Sequence, residues 1–380
     1  MELEREREAI NEIDGQLAEL FARRMEAAAR IGEYKEAKGL PVLDKARERE
    51  VLARMAEAAG PELGDYAKVL YSTIMDLSRS YQNSRRAGES PICGEIRRTL
   101  EQGDQQFPAG ATVACQGVEG AYSQQACDKL FSRPNILYFR TFEGVFQAVD
   151  QGLCRYGILP IENSTAGSIG SVYDLMRRYR FYIVRGVKLR VEHTLLAKSG
   201  ARLGDITEIF SHDQGIQQCS AFFKEHPEIK ATVCENTAVA ARMVAQSGRD
   251  DVAAISSREC AQLYGLSILT DKIQNSENNH TRFICISKSL EIYPGAGKTS
   301  LMLELPHRPG TLYGVIARIA ALDMNLTMLE SRRFPCKDFE FMFYFDIDAS
   351  VHDPRTLSLI GQLQRDLVQF TYLGSYSELF

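Results

Sequence analysis

The sequence has no C-x-x-C pair, and its nine cysteines, Cys93, Cys115, Cys127, Cys154, Cys219, Cys234, Cys260, Cys285 and Cys336, form an odd and scattered set. A zinc site or a disulfide framework is therefore not expected, and free thiols suit a reducing, cytoplasmic setting. No window approaches about 18 consecutive apolar residues, so no membrane span is expected. The opening residues, Met1-Glu-Leu-Glu-Arg-Glu-Arg-Glu, lack the apolar stretch of a secretory signal. An excess of basic charge is missing too. The net charge is −5, which argues against a nucleic-acid partner. What is present is ordinary for a globular protein: 44% hydrophobic and 25% charged residues over 380 positions, enough chain for two or three domains.

Proline is absent from Leu3 to Lys38, where Ile10, Ile13, Leu17, Leu20, Phe21, Met25, Ala28 and Ile31 recur in steps of three and four. This is the period of an amphipathic helix, stopped by Gly39-Leu40-Pro41. At about 1.5 Å per residue the rod is roughly 54 Å long, which suits packing against a second copy of the chain. A second helix is expected from Asp44 to Gly60-Pro61. A third is expected from about Asp65 to Arg86, with Leu70, Ile74, Leu77 and Tyr81 on one face. Arg24 and Lys35, eleven residues apart, project from one face of the first helix, and Arg7 lies about 100° off that line. Asp44, Arg47 and Glu48 share one face of the second helix, and Ser78 and Gln82 one face of the third. The bland alternative is a set of solvated faces, with Asp44 only an N-cap.

The pattern Arg7-x6-Asp14, Arg24, Ile31-Gly32-x2-Lys35, Pro41-Val42-x-Asp44-x2-Arg47-Glu48 and Ser78-x3-Gln82 resembles the all-helical chorismate mutases over residues 5–86. The resemblance implies an intertwined dimer in which Arg7 of a partner and Arg24 hold the two carboxylates of chorismate. Lys35 and Gln82 would donate to the ether oxygen, and Asp44 and Glu48 would position the hydroxyl end, supported by Arg47 and Ser78. These residue types suit a pericyclic rearrangement, which needs cations, acceptors and fixed donors rather than a nucleophile or a metal.

Residues 88–110 read as a linker containing one short helix around Ile92, Ile96 and Leu100. Beyond it, short β-rich runs alternate with helical ones. Strands are expected at Thr112–Ala114, Ile136–Phe139, Tyr156–Pro160, Tyr182–Val191, Thr194–Ala197, Ile206–Phe210, Thr232–Cys234, Val252–Ile255 and Arg282–Ile286. Helices are expected at Ser123–Phe131, Gly144–Gln151, Gly215–His226, Ala238–Ser247 and Arg258–Tyr264. This predicts a two-lobed α/β domain with mainly parallel sheets, a crossing at Tyr182–Ala197 and a small ligand in the cleft. The glycines of Gly117-Val-Glu-Gly120 suggest close backbone approach and a helix N-terminus open to an anion.

Leu159-Pro-Ile-Glu162-Asn163-Ser164, Ser211-His212-Asp-Gln214, Glu235-Asn236-Thr237-Ala238 and Thr281-Arg282-Phe283 are, one by one, ordinary caps and strand ends. Their ordered series resembles the prephenate dehydratases over residues 111–287. Val118 and Asn236 stand where the family usually has Pro and Ser. The resemblance implies a catalytic Thr281, read as a hydrogen-bond donor to the departing ring hydroxyl. Asn163, Ser164, Ser211, Gln218 and Thr237 are candidates for substrate binding, and Glu162 is either a protonated acid or a structural anchor.

Tyr293–Lys298 reads as a second linker, and residues 298–380 follow a βαββαβ order, a ferredoxin-like α+β unit. Arg308-Pro309-Gly310-Thr311-Leu312 and Glu330-Ser331-Arg332 resemble the effector motifs of ACT domains, with Arg333 at a position that family fills with Pro. The resemblance implies an L-phenylalanine site at a subunit interface.

The expected organisation is thus a helical mutase domain over 1–87, a linker over 88–110, a dehydratase domain over 111–290 and a regulatory domain over 298–380. The chain would be a homodimer or homotetramer, with no cofactor or metal. Two alternatives remain open: a monofunctional dehydratase whose helical domain only dimerises, and a non-catalytic binding protein.

Overall fold

The computed structural model describes residues 2–40, 44–85, 90–104, 106–307, 309–333 and 341–380. Pro41, Val42, Arg308 and Cys336 lie outside these residues, as do the expected element ends at Arg86, Phe334 and Phe339.

The N-terminal region holds α1 (Glu2–Ala37) and α2 (Lys45–Arg85), which breaks at Gly60 (φ 78°, ψ 175°), one residue before Pro61. The break falls where the second and third helices were expected to meet. Leu3, Ile10, Ile13, Leu17, Leu20 and Phe21 stay exposed along α1. An apolar stripe of this length is costly in water. α3 (Pro91–Gln102) follows, and its Ile92, Cys93 and Ile96 are buried.

The α/β region begins with β1 (Thr112–Gln116), α4 (Tyr122–Leu130), β2 (Asn135–Phe139), α5 (Phe142–Asp150), β3 (Tyr156–Asn163), β4 (Gly167–Ser168), α6 (Gly170–Tyr179) and β5 (Tyr182–Arg190). The chain then crosses to a second lobe: β6 (Thr194–Ala197), β7 (Glu208–Ser211), α7 (Asp213–Gln218), α8 (Ser220–Glu225), β8 (Lys230–Val233), α9 (Thr237–Gln246), β9 (Val252–Ser256), α10 (Arg258–Tyr264) and β10 (Ser267–Thr270). It returns by β11 (His280–Ser287). The last region holds β12 (Lys298–Leu305), α11 (Thr311–Ala321), β13 (Asn325–Arg333), β14 (Phe341–Asp348), α12 (Pro354–Asp366), β15 (Gln369–Tyr376) and β16 (Glu378–Leu379).

Both α/β sheets are mixed, which corrects the expectation of mainly parallel pairing. The first runs β16-β5-β11-β3-β1-β2 with β4 beside β3, and the second runs β10-β6-β9-β7-β8. The β1–β2, β1–β3, β7–β8 and β7–β9 ladders are parallel. The crossing strands add antiparallel neighbours, since β11 runs against both β3 and β5, and β6 against β9 and β10. β5 leaves the first lobe and β11 returns to it, and the two lie antiparallel side by side.

The C-terminal sheet is antiparallel in the order β13-β14-β12-β15, the arrangement of a ferredoxin-like unit. Its core takes in Ile92, Cys93 and Ile96 of α3, together with Ile292 and Ala296. Both segments expected as linkers are therefore packed. Beyond β15, β16 pairs in parallel with β5, so the chain's end closes the edge of the first α/β sheet. Ser80 of α2 donates to Gln362 of α12 at 3.2 Å, which joins the helical region to this unit as well.

Candidate active sites

The first cluster lies between α1 and α2. Arg24 donates through Nη1 to Ser78 Oγ at 2.5 Å, and Ser78 in turn donates to Ile74 O at 2.7 Å, one turn back on its own helix. Gln82 lies across Gly32, where an added Cβ would stand 3.0 Å from Gln82 Cγ. Glycine there lets the two helices close on the glutamine. Gln82 Oε1 is buried without a hydrogen-bond partner among the described residues, an uncommon state for a buried amide. Lys35 is half-buried one turn beyond Gly32. Glu48 accepts an ion pair from Arg79, which also holds Asp76. The sequence reading did not single out Arg79, because one more arginine on a polar helix carries no signal by itself.

The remaining expected residues stand apart. Asp44 accepts the backbone N–H of Arg47 at 3.0 Å and caps α2. Arg47 is exposed and pairs with Glu50 at 2.8 Å. Arg7 is exposed beside Glu4, about 25 Å along the rod from Arg24. Within one chain Arg7 cannot reach the cluster.

The second cluster sits in the cleft where β3 and β11 run antiparallel, with Asn163 opposite Thr281. Asn163 Oδ1 accepts the backbone N–H groups of Thr165 at 3.0 Å and Ala166 at 2.8 Å. Its Nδ2 must therefore face the other way, where it donates to Thr281 Oγ1 and to Asn279 Oδ1, both at 2.9 Å. Asn279 Nδ2 donates to Gln218 Oε1 at 2.9 Å, and His193 Nε2 stands 2.8 Å from the same oxygen. Asn163 and Thr281 are 8% and 9% exposed, so the pair is shielded yet reachable.

A cavity of about 270 Å³ lies at the Gln218–Asn279 end of this network, lined by residues that include Thr165, Gln214, Gln217, Gln218, Asn275 and Asn279, none of them charged. Ser164 is a turn staple whose Oγ donates to Asn278 O at 3.1 Å and accepts His280 N at 2.9 Å. Ser211 is fully buried and donates to Ile255 O at 3.0 Å. Thr237 is half-buried at the start of α9, capped by Asn236 through Val239 N at 2.8 Å. Asparagine thus does the capping work open to the family's usual serine.

The structure speaks against one of the two readings of Glu162, the acid in the cleft, and against an anion site at the glycine turn. Glu162 pairs in register with Arg282 rather than with Thr281, so alternation along the strand turns it away from Asn163. The Gly117–Gly120 turn is closed by protein. Gly120 N donates to Gln124 Oε1 at 2.7 Å, and an added Cβ at Gly120 (φ 87°) would stand 2.9 Å from Cys260 Sγ. The tight approach is to α10 of the other lobe, not to a ligand. His193 and Asn279 are the members that sequence reasoning missed. Asn279 had a weak signal as the neighbour of the Thr281 motif, and His193 had none.

The strand that carries Thr281 is tied to the C-terminal unit by the next residue. Arg282 donates to Asp346 Oδ2 and to Glu378 Oε1, both at 2.5 Å, and to the Tyr376 hydroxyl at 2.7 Å. Glu330 accepts from Ser168 Oγ at 2.9 Å, and Arg332 pairs with Asp174 at 2.9 Å. Ser331 points to the exposed side of β13. Pro309 and Gly310 are exposed, while Thr311 and Leu312 are half-buried at the start of α11.

Residues 6–83 match the family described as chorismate mutase type II, and residues 113–291 match the prephenate dehydratase family. The bifunctional chorismate mutase/prephenate dehydratase of Escherichia coli (strain K12) is 30% identical over 381 residues, covering 97% of this chain and 95% of that protein. Arogenate dehydratase 2 of Petunia hybrida is 36% identical over 282 residues, covering 70% of this chain and 71% of its own length. A prephenate dehydratase from Arthrobacter aurescens, solved in complex with L-Phe, superposes with a TM-score of 0.65 at 26% identity, covering 70% of this chain and 90% of that one. Among the described residues no helix is long and apolar enough to cross a membrane, and no group of acidic, histidine and cysteine side chains is arranged to hold a metal.

Proposed function

The chain belongs to the family of bifunctional chorismate mutase/prephenate dehydratases, and on that premise we propose that it converts chorismate to prephenate and then prephenate to phenylpyruvate, in the cytoplasm and under feedback inhibition by L-phenylalanine. The observation that carries the reading is the Asn163–Thr281 hydrogen bond. It fills the acceptor side of the threonine hydroxyl and leaves the proton free to donate.

Prephenate loses carbon dioxide from one ring carbon and hydroxide from the carbon opposite. The electron pair of the breaking C–C bond enters the ring and expels the C–O pair. The departing hydroxide is stabilised by the Thr281 O–H and takes its proton from solvent. A threonine hydroxyl is too weak an acid to ionise, so its contribution is a fixed dipole aimed at developing charge. The uncharged lining holds the carboxylates through amide donors, without clamping the one that departs as carbon dioxide.

The mutase site is read as Arg24, Lys35, Glu48, Ser78 and Gln82 from one chain with Arg7 of a second copy. The exposed stripe of α1 supports a dimer, and Asp44 and Arg47 would come into play when that copy covers them. The unpartnered Gln82 Oε1 supports a site that a ligand or a partner completes. The C-terminal unit is read as an ACT domain, with Pro309 to Leu312 and Glu330 to Arg332 as the effector residues.

A second reading takes arogenate, the amino analogue, as the substrate of the cleft, since Petunia relatives are named for it. An ammonium group would call for an acidic partner, and the cavity lining has none among the described residues, which favours the keto acid. Chorismate supplied to the purified chain should yield phenylpyruvate. Prephenate and arogenate offered side by side decide the substrate, and faster turnover of arogenate would reverse that choice.

A further inference from the structure

The polarity of the cleft network is fixed at one end by backbone groups. Two main-chain N–H groups donate to Asn163 Oδ1, and a main-chain N–H has no alternative role. Asn163 Nδ2 therefore faces Asn279, which must present its oxygen. Asn279 Nδ2 then faces Gln218, which must present its oxygen as well. His193 also meets Gln218 Oε1, so its Nε2 must carry the proton. Its Nδ1 is then bare, and this atom is buried without a partner among the described residues.

His193 lies in the crossing between β5 and β6 and is 2% exposed. Its backbone is pinned by Ile273 N donating to its carbonyl at 2.9 Å, and by its own N–H donating to Gln274 Oε1 at 3.0 Å. These bonds fix the backbone that carries the ring, and the Nε2 contact to Gln218 is the ring's own anchor.

We propose that His193 is a positioning residue for the dehydratase site: its Nε2–H holds the Gln218 oxygen inward and so presents the Gln218 NH2 group to an anionic substrate in the cavity. The inference rests on the dehydratase reading above. Without the ring N–H, the Gln218 amide keeps only Asn279 as an anchor and can rotate its oxygen toward the substrate carboxylate. Burial lowers the pKa of His193, against a smaller upward effect of the bond to Gln218, in keeping with a neutral ring holding one proton.

The test compares H193L, which has no donor, with H193Q, whose amide N–H reaches the place of Nε2. With H193L, KM for prephenate should rise about tenfold, kcat should change much less, and H193Q should recover most of the loss. That split marks a lost binding contact rather than a damaged chemical step. Equal KM values for the two variants, or a fall in kcat at unchanged KM, would overturn the proposal. Chorismate turnover by the same variants reports folding. Wild-type enzyme that fails to turn over prephenate defeats the dehydratase reading instead. If H193L does not fold, 15N spectra of histidine-labelled wild-type enzyme decide the matter. His193 as the Nε2–H tautomer supports the role, and the Nδ1–H tautomer refutes it.

Discussion

Asn163 and Thr281 face each other across adjacent antiparallel strands, and the amide of the first donates to the hydroxyl of the second at 2.9 Å. Because Asn163 Oδ1 is already engaged by two backbone N–H groups, the direction of this bond is set. N163D puts a carboxylate oxygen where the donor stood and draws the Thr281 proton to itself. Prephenate turnover should drop by about 10²-fold in kcat, the scale of losing one donor to a developing negative charge. T281S should keep measurable activity and T281V should lose it. Chorismate loss, assayed in the same preparations, should not change.

The helical site makes the opposite separation. K35A should abolish most chorismate turnover while prephenate turnover stays at the wild-type rate. If K35A leaves the mutase rate intact, the helical region only dimerises the chain. The dimer itself is tested by mixing. R7A and K35A chains are each expected to be inactive as mutases. Refolded together at equal amounts, half the dimers are mixed, and each of these holds one complete site built from the intact Arg7 of one chain and the intact Lys35 of the other. About a quarter of the wild-type rate should return if the interface is isologous. No recovery would show that Arg7 does not act across it.

A neutral donor at Gln82 gives a further expectation for the same reaction. An amide needs no proton gain or loss to donate. Chorismate turnover should therefore vary little between about pH 6 and pH 9. A steep fall in kcat near neutrality would assign the ether-oxygen donor to an acidic group instead.

Much of this architecture is legible in the sequence. The three-and-four spacing of apolar residues marks α1 almost to its ends, and Gly60-Pro61 marks the break in α2. Strand starts such as Thr112, Tyr156, Thr194 and Val252 are read from β-rich runs next to turn residues. What could not be read depends on pairing across the chain. The antiparallel return of β11 follows from topology, not from its own residues. β16 is two residues long and exists only because β5 offers it an edge. β10 was not expected, since Ser267–Thr270 carries little apolar pattern. In the cleft, motif spacing picks out Asn163, Gln218 and Thr281. The direction of each hydrogen bond, and hence the part played by His193 and Asn279, emerges only once β3 and β11 are in register. Glu162 belongs to the same motif as Asn163, and strand alternation removes it from the cleft.

Arg282 carries a stability prediction. Its guanidinium is held by Asp346 and Glu378, and both its own side chain and that of Glu378 are 6% exposed. Burial alone would raise the pKa of Glu378. Arg282, helped by Lys188 and Lys298, more than offsets this and holds the carboxyl below its ordinary value. A carboxylate with a depressed folded-state pKa contributes stability that is fully present above its unfolded pKa and is lost as pH falls through the folded one. E378Q should therefore lower the midpoint of unfolding by a near-constant amount from about pH 8 to about pH 5, and the deficit should shrink below the ordinary carboxylate range. At neutral pH the cost should be about 1–3 kcal/mol, because Asp346 remains to pair with Arg282. A deficit that grows on acidification would mean that Glu378 does not titrate as described.

The last expectation concerns how an effector reaches the cleft. Glu330 and Arg332 of β13 are held by Ser168 and Asp174 of the dehydratase lobe. Ser168 lies on β4, which pairs with β3 at Glu162 and Asn163, so this contact is one strand pairing away from the Thr281 partner. An amino acid bound by Glu330 and Arg332 would compete with Ser168 and Asp174 for the same groups. It can favour an inactive state only by binding the released form of these side chains better than the engaged form. S168A and D174N weaken the engaged form. Both variants should be inhibited by phenylalanine at lower concentration than wild type, by several-fold, with prephenate turnover in its absence close to normal. The concentration for half inhibition, read from prephenate assays across a phenylalanine series, checks this. Unchanged or higher values in both variants would mean that these contacts do not oppose the effector, and would turn attention to the ties through Arg282 and β16.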